Sequence, residues 1–180
     1  MTDETTHDRK RTGFALWFTG LPAAGKSTLA EAVATQLRAA GAQVEILDSD
    51  ALRTVLTPNP TYGDDERDWF YGVMVHIGQL LTKHGVNVLF AATATRRAYR
   101  DKARATIPRF AEIYVSCSLE QAMARDPKQI YARATAGEIS HVPGMDVPYE
   151  EPLAPAVTVN TEHASTAEGV AAVMAFLQGW

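Results

Sequence analysis

The sequence predicts an α/β protein, a three-layer sandwich built on a mainly parallel sheet of five strands. Short apolar runs alternate along the chain with segments whose apolar residues recur at helical spacing. Strands that alternate with helices pair in parallel, because each crossover returns the chain to the same end of the sheet. The chain has 180 residues, 46% of them hydrophobic, which is enough for one ordinary domain with a sizeable core.

The stretch GLPAAGKST lies between the first predicted strand (14–19) and the first predicted helix (26–40), and it matches the pattern G-x-x-x-x-G-K-[ST]. The fixed positions are Gly20, Gly25, Lys26 and Ser27. Glycines let the backbone bring N–H groups against phosphate oxygens, the lysine reaches the terminal phosphates, and the hydroxyl holds Mg²⁺. The positive end of the following helix adds to this attraction. We interpret the stretch as a phosphate-binding loop (P-loop); a chance glycine-rich turn before a helix is the alternative.

The later elements continue the alternation. Strands are predicted at 44–48, 86–92, 111–115 and 156–159, and helices at 51–56, 67–84, 119–125 and 165–177. The first helix carries Leu29, Val33 and Leu37 on one face. In the long helix we expect Phe70, Val73, Ile77, Leu80 and Leu81 to face the core. The strand at 86–92 is apolar apart from Asn87, which is typical of a central strand buried on both faces.

Two carboxylates, Asp48 and Asp50, follow the second predicted strand. Ligands of parallel sheets bind beyond the carboxyl ends of the strands, so both carboxylates should meet the P-loop there. We expect the active site at this corner. The alternative for either residue is that it caps the helix that follows.

The segment 93–109 concentrates five arginines and one lysine. We expect most of these charges to line a solvated helix face. Arg96 and Arg97 come directly after a predicted strand, so these two are the ones expected to reach an anionic substrate.

From 126 to 155 the chain becomes rich in proline and glycine among charged and aromatic residues. A segment of this length predicts a mobile lid that closes over a bound nucleotide and excludes water. An ordinary ordered excursion is the alternative. We therefore divide the chain into a flexible leader at 1–12 and a single domain at 13–180 that includes the lid.

The composition excludes several classes of protein. A net charge of −4, from 17 basic and 21 acidic residues, gives no large positive field for long nucleic acids. No stretch approaches the ~20 apolar residues of a membrane span, and the polar N-terminus lacks the apolar core of a secretory signal. The single cysteine, Cys117, cannot form an intrachain disulfide. We expect a cytoplasmic enzyme that acts on a small molecule, without nucleic acid or membrane partners.

Several separate motifs between about Phe14 and Pro152 resemble those of the adenylyl-sulfate (APS) kinase family. The stretch ILDSDALR at 46–53 resembles L-D-G-D-N-x-R, and Tyr62 followed by Glu66-Arg67 resembles the family's aromatic before an acidic-arginine pair. RDPKQIY at 125–131 resembles R-D-P-K-G-L-Y. AGEI at 136–139 with GMDVPYE at 144–150 resembles A-G-E-I and G-I-D-x-P-Y-E. These lid motifs are more specific than the P-loop, which alone indicates only an NTPase.

The resemblance implies a P-loop NTPase fold of the nucleoside-kinase-like kind with a lid. It implies a phosphotransferase that moves the γ-phosphate of ATP onto an alcohol group, which in the family is the 3′-hydroxyl of adenylyl sulfate. ATP and Mg²⁺ are the implied cofactors and a small molecule the implied acceptor. Family members are commonly dimers, so the resemblance also implies a homodimer.

The roles implied by the resemblance fall on matching positions. Asp50 would accept the hydroxyl proton, Asp48 would orient the water shell of the metal, and Lys26 would handle the ATP phosphates. Ser27 and Asp48 would serve the Mg²⁺. The implied ATP-binding residues are Gly20, Leu21, Pro22, Ala23, Ala24, Gly25, Lys26, Ser27, Thr28 and Arg125. The implied acceptor-binding residues are Arg53, Tyr62, Arg67, Arg97 and Lys128.

The chain departs from the family pattern mainly on the acceptor side. The family's D-R-x-E-N-I-R-R falls on ERDWFYGV at 66–73, which lacks the Asn and the arginine pair. S-P-Y-R falls on ATRR at 94–97, and the lid phenylalanine falls on Val142. The aromatic residues Trp69, Phe70 and Tyr71 form either an altered acceptor pocket or part of the core.

Losing one paired polar contact typically costs about 1–3 kcal/mol, or about 10-fold or more in discrimination. We therefore favour a kinase of this family with a changed acceptor, nucleotide-type or small and anionic. The alternatives are an authentic adenylyl-sulfate kinase that makes 3′-phosphoadenylyl sulfate, and a non-catalytic nucleotide-binding module.

Overall fold

The fold is described from a computed structural model, which covers residues 12–180. The predicted leader at 1–12 lies outside the described residues except for its last position. The strands of this part of the chain are β1 (Ala15–Thr19), β2 (Val44–Asp48), β3 (Asn87–Ala91), β4 (Phe110–Ser116) and β5 (Val157–Asn160). The helices are α1 (Lys26–Ala39), α2 (Ser49–Leu56), α3 (Asp64–Lys83), α4 (Arg97–Thr106), α5 (Leu119–Arg125), α6 (Ile130–Thr135) and α7 (Thr166–Gln178).

The five strands form one sheet in the order β2-β3-β1-β4-β5, and every pair in it is parallel. The central strand β1 is buried along its whole length between β3 and β4. The predicted α/β fold with its five-stranded sheet is therefore confirmed.

Helices cover both faces of this sheet, because successive residues of a strand point to opposite sides. Leu16 and Phe18 of β1 belong to a core cluster with residues of α1 and α7. Trp17 points to the other face, where α3 and α4 pack, and its ring stacks on Phe90 at 4.5 Å. These two clusters make the predicted three-layer sandwich.

Helix α3 differs from its prediction at its start and in its buried face. It begins at Asp64 rather than at 67, because Asp64, Asp65 and Glu66 form the first turn of the helix, where negative side chains are favoured. Leu80 was predicted to face the core and is 52% exposed. The reason is Gly78: an added Cβ there would lie 2.2 Å from the Phe90 ring, so the helix packs on its glycine side and turns Leu80 outward.

The segment 93–109 also corrects the prediction. It contains α4, and Arg100 on this helix is fully buried rather than solvated. Its guanidinium bonds to Glu112 at 3.2 Å, to the carbonyl of Glu150 at 2.6 Å and to the carbonyl of Ala94. A buried charge is tolerated here because each side of it meets an acceptor. Lys102, Arg104 and Arg109 are exposed, as predicted.

All five strands end at the same edge of the sheet, and their following loops converge there. The P-loop follows β1 and Asp48 ends β2. Helix α6, which the sequence did not predict, lies inside the segment 126–155 beside this edge. Among the described helices, none has the length and apolar character needed to cross a bilayer.

Candidate active site

A cavity of about 1180 Å³ opens at the carboxyl edge of the sheet. One group of its lining residues, here called the P-loop group, comprises 22–28, Arg125 and Thr161. A second group, here called the Arg53 group, comprises Asp50, Arg53, Tyr62, Arg67, Tyr71, Lys128 and Val142. Most of the residues that the sequence singled out therefore meet in one cavity.

Two glycines give the P-loop its shape. An added Cβ on Gly20 would lie 2.1 Å from the carbonyl oxygen of Val115, so only glycine allows the loop to pass this close to β4. Gly25 has φ 99°, a left-handed conformation that favours glycine, and it leads directly into α1. Each of the two glycines of the motif thus meets a backbone requirement: a close approach to β4 at Gly20 and a left-handed conformation at Gly25.

The first turn of α1 presents free donors to the cavity. Within residues 12–180, no protein acceptor is found for the backbone N–H groups of Lys26, Ser27 and Thr28. Such groups at a helix N-terminus are a favourable site for a phosphate or another anion. Lys26 Nζ donates to the carbonyl of Leu21 at 2.8 Å, and burial lowers the pKa of this lysine to about 8.

Asp48 combines two of the roles that the sequence left as alternatives. Its Oδ1 accepts hydrogen bonds from the N–H groups of Asp50 at 2.8 Å and Ala51 at 3.2 Å, so it caps α2. Its Oδ2 accepts from Ser27 Oγ at 2.6 Å. The cap holds this carboxylate against the hydroxyl of the P-loop.

Asp50 lies in the first turn of α2, and its carboxylate is largely exposed to the cavity. It forms an ion pair with Lys128 of the segment 126–155. Partial burial opposes the charge of Lys128, but the hydrogen bond and the charge of Asp50 raise the pKa of this lysine above its usual value. Asp50 is thus a charged acceptor that faces the P-loop and is reached from the opposite segment.

Arg53 lies between two aromatic rings. Its guanidinium is 3.9 Å from the centre of the Phe70 ring and 4.8 Å from that of Tyr62. The side chain is almost fully buried and donates to Glu66 Oε1 at 2.6 Å. Glu66 also accepts from Thr61 N at 2.6 Å. This cluster fixes the loop that carries Tyr62.

Arg67 lines the cavity, but its hydrogen bonds go to protein atoms. It donates to the carbonyls of Tyr62 and His141, both at 2.7 Å, and to Thr95 Oγ1 at 3.3 Å. It ties three segments of the cavity wall together.

Three other arginines were expected at the site. Arg96 does not line the cavity, and its guanidinium pairs with Asp64 at 2.5 Å and Asp68 at 3.5 Å. Arg97 does not line the cavity, and its guanidinium contacts Glu150 and the carbonyl of Glu151. Arg125 lines the cavity and donates to Thr161 Oγ1 at 2.9 Å. Thr161 in turn donates to the carbonyl of Ala24, which connects Arg125 to the P-loop.

Among the lining residues that sequence reasoning did not assign to the site are Tyr71, His141 and Thr161. Thr161 directly follows β5, so the rule that ligands bind beyond strand ends would have found it. Tyr71 had been left open between pocket and core, and it belongs to both. Nothing in the local sequence of His141 indicates its place.

No cluster of three or more His, Cys, Asp or Glu residues that could hold a metal was found among residues 12–180. Mg²⁺ does not need such a cluster, because it keeps several waters and binds through one or two protein groups plus substrate phosphates. Ser27 and Asp48 provide an oxygen pair of this kind beside free N–H donors. The residues present therefore fit a magnesium–nucleotide complex.

Comparison with known proteins identifies the family. A sequence model of the adenylylsulphate kinase family matches residues 12–160. The chain belongs to the adenylylsulphate kinase family. It is accordingly a P-loop kinase, a phosphotransferase that acts on an alcohol group with ATP and Mg²⁺ as cofactors, as the sequence predicted.

Two relatives within the adenylylsulphate kinase family match over most of their length, and a third matches over less than a third of its length. A probable adenylyl-sulfate kinase of Archaeoglobus fulgidus is 40% identical, with 83% of this chain and 96% of the relative covered. An adenylyl-sulfate kinase of Picosynechococcus is 41% identical, with 90% and 92% covered. A probable bifunctional SAT/APS kinase of Sorangium cellulosum is 39% identical, and there the chain spans only 29% of the relative.

A solved structure shares the fold of this adenylylsulphate kinase family member. The Mycobacterium tuberculosis APS kinase in complex with AMPPNP and APS superposes with a TM-score of 0.88 at 32% identity, covering 93% of this chain and 98% of that chain.

Proposed function

We propose that the chain transfers the γ-phosphate of ATP to a hydroxyl of a nucleotide-type or small anionic acceptor other than adenylyl sulfate. The observation that carries the proposal is that the free amides of the P-loop and the carboxylate of Asp50 line one cavity. At about 1180 Å³ this cavity exceeds the range of roughly 300–1,000 Å³ that is usual for single-ligand pockets, which suits a site for two substrates.

The chemistry follows from the positions of charge. The acceptor hydroxyl gives its proton to Asp50 as its oxygen bonds to the γ-phosphorus, and the bond from that phosphorus to the bridging oxygen breaks to release ADP. Lys26 and the N–H groups of Ser27 and Thr28 neutralise the negative charge on the phosphates. Ser27 and Asp48 would hold Mg²⁺, which would supply further neutralisation of that charge.

The changed acceptor is supported by residues in and beside the Arg53 group. Phe70 stands where the family pattern has Asn, and its buried ring is covered by Arg53. Val142 stands where the pattern has Phe and is 2% exposed. The charge of Arg53 is already paired with Glu66. Fewer free polar groups remain here than the family pattern would supply, which favours an acceptor with different recognition groups.

Authentic adenylyl-sulfate kinase activity is the second candidate. It is favoured by relatives named adenylyl-sulfate kinase that are about 40% identical over nearly their whole length. Tyr62 and Arg53, which match the family pattern for acceptor binding, also lie in the cavity.

We also infer that the segment 126–155 works as a lid within a single domain at 13–180. Three contacts support a closed position over the cavity: Lys128 pairs with Asp50, Tyr131 OH donates to the carbonyl of Pro22 at 3.2 Å, and Tyr149 OH lies 2.9 Å from Thr19 Oγ1. A cytoplasmic homodimer without nucleic acid partners completes the proposal. Light scattering of the purified protein would test the subunit count.

An assay of ADP release tests the choice of acceptor. Wild-type protein with Mg²⁺ and ATP is offered adenylyl sulfate, the four ribonucleoside 5′-monophosphates and simple sugar phosphates. We expect one acceptor to exceed adenylyl sulfate in kcat/KM by about 10-fold or more. Robust turnover of adenylyl sulfate at micromolar concentration would establish the second candidate. Binding of MgATP with no turnover of any acceptor would instead favour the non-catalytic module.

A further inference from the structure

The hydroxyl of Tyr71 is a polar group of the Arg53 group that has no part in the mechanism described above. Tyr71 lies on α3, is 6% exposed and lines the cavity. Tyr71 thus belongs both to the core and to the wall of the cavity.

The hydrogen bonds of this hydroxyl leave its proton free. Tyr71 OH accepts a hydrogen bond from the backbone N–H of Ala94 at 3.1 Å. A phenol can accept and can also donate one hydrogen bond. In the part of the chain that the structure describes, no protein group accepts the Tyr71 proton. The free donor therefore belongs to a side chain that lines the cavity.

The surroundings hold the hydroxyl in place. The Tyr71 ring stacks on Tyr99 at 4.6 Å with an interplanar angle of 30°. Ala94 is fully buried with φ 45°, and its carbonyl accepts from the guanidinium of Arg100. A donor fixed on both sides is pre-organised for recognition, because little side-chain freedom is lost when a ligand binds.

The electrostatics suit a donor rather than a base. Burial raises the pKa of Tyr71 above its ordinary value, and the nearby charges of Arg53 and Arg67 only partly oppose this. The phenol therefore keeps its proton at neutral pH. Arg53 and Arg67 are members of the Arg53 group. The Tyr71 hydroxyl therefore lies among the residues that would face the acceptor.

We propose that the Tyr71 hydroxyl donates a hydrogen bond to the phosphate acceptor and makes Tyr71 a specificity-determining residue. The acceptors it favours are nucleotide-type molecules that present a carbonyl oxygen, a ring nitrogen or an anionic oxygen at this point. The inference rests on the proposed function.

The departures from the family pattern support this inference. The quoted motifs have Ile at position 71 and Ser at position 94, whereas this chain has Tyr71 and Ala94, which are bonded to each other. The serine hydroxyl that the pattern has at position 94 is thus absent. Instead, the hydroxyl of Tyr71 on α3 accepts a hydrogen bond from the backbone N–H at that position. The neighbouring Phe70 has no polar group to share the recognition.

Calorimetry of the full chain saturated with MgADP tests the proposal. The probes are adenylyl sulfate, AMP, CMP and GMP, titrated into wild type, Tyr71→Phe and Tyr99→Phe. Tyr99→Phe is a matched control, because its ring stacks on Tyr71 while its hydroxyl donates to Asp68 at 2.8 Å outside the cavity lining. We expect Tyr71→Phe to weaken the best-binding probe about 10-fold and to leave MgADP affinity unchanged. Tyr99→Phe should change neither.

Five results would overturn the inference, in distinguishable ways. Unchanged affinity of the best probe in Tyr71→Phe rules out the hydrogen bond. Parallel losses of probe and MgADP affinity, or an equal loss in Tyr99→Phe, assign Tyr71 a structural role only. Failure of every probe to bind the wild type, while MgADP binds, excludes the nucleotide-type acceptor but leaves the kinase assignment. Failure of MgADP to bind removes the proposed function itself.

Discussion

Ser27 Oγ lies 2.6 Å from Asp48 Oδ2, which joins the P-loop after β1 to the end of β2. The other oxygen of Asp48 caps α2 through Asp50 N and Ala51 N. One carboxylate thus sets the position of the P-loop hydroxyl and the start of the helix that carries Asp50. The two strand ends are coupled through a single side chain.

The two functions of Asp48 can be separated by substitution. Asn caps a helix as well as Asp does, so Asp48→Asn should leave the free energy of unfolding nearly unchanged. It should lower kcat/KM for MgATP by about 10- to 100-fold, because the charge that orients the metal's waters is lost. Asp48→Ala should lose the same activity and about 1 kcal/mol of stability as well. Urea unfolding and steady-state kinetics check both, and equal stability of the two variants would contradict the capping role.

Asp50 is expected to act on kcat. Asp50→Asn keeps the size of the side chain but removes the group that accepts the hydroxyl proton. We expect kcat to fall by about 10²- to 10⁴-fold with the KM for ATP unchanged. Asp65→Asn is the control, because Asp65 is an exposed carboxylate outside the cavity lining. A rise in the KM for ATP with unchanged kcat would reassign Asp50 to nucleotide binding.

The affinity for nucleotide should depend on pH, because Lys26 gains or loses its proton near neutral pH. Its pKa is about 8 because of burial. Bound phosphates favour the charged ammonium, so the pKa in the complex is higher than in the free protein. Binding is then strongest below pH 8 and weakens as the pH rises through 8, by up to about 10-fold per pH unit, because the complex must take up a proton.

Calorimetry with ADP between pH 7 and 9.5, without Mg²⁺, measures this dependence. A phosphate with a second pKa near 6 keeps a constant charge across the range. Lys26→Arg is the control, because the guanidinium stays charged and should give a flat profile. If the affinity of the wild type for ADP does not change with pH, Lys26 does not control nucleotide binding through its protonation.

Replacing Arg100 should lower the free energy of unfolding substantially. Removing its buried guanidinium in Arg100→Met leaves Oε1 of Glu112 and the carbonyls of Ala94 and Glu150 without this donor. We expect a loss of about 3–5 kcal/mol in the free energy of unfolding. Arg104→Met removes a 46% exposed partner of the same carboxylate and should cost about 1 kcal/mol or less. Equal losses in the two variants, measured by urea unfolding, would contradict the role assigned to Arg100.

The sequence predicted those parts of the molecule that depend on local pattern. The spacing of Gly20, Gly25 and Lys26 reflects backbone requirements within one loop, and the strand-end rule brought Asp50 to the same cavity. Apolar periodicity placed α1 correctly, because its buried face contains Leu29, Val33 and Leu37.

The remaining features depend on partners far apart in the chain. Arg100 is buried because two of its acceptors lie 12 and 50 positions away, on β4 and within the segment 126–155. Arg67 is held by the carbonyl of His141, 74 positions away. Leu80 faces outward because Gly78 meets Phe90 of β3. These contacts join separate elements, and apolar periodicity along the chain does not specify which side chains of two elements meet.

The most direct test is a crystal structure of the chain with MgADP and the phosphorylated acceptor trapped in the cavity. We expect the nucleotide phosphates against the amides of Lys26, Ser27 and Thr28. We expect the acceptor oxygen that received the phosphate within about 2.6–3.2 Å of the Asp50 carboxylate. Phosphates bound away from these amides, or an acceptor oxygen remote from Asp50, would contradict the account.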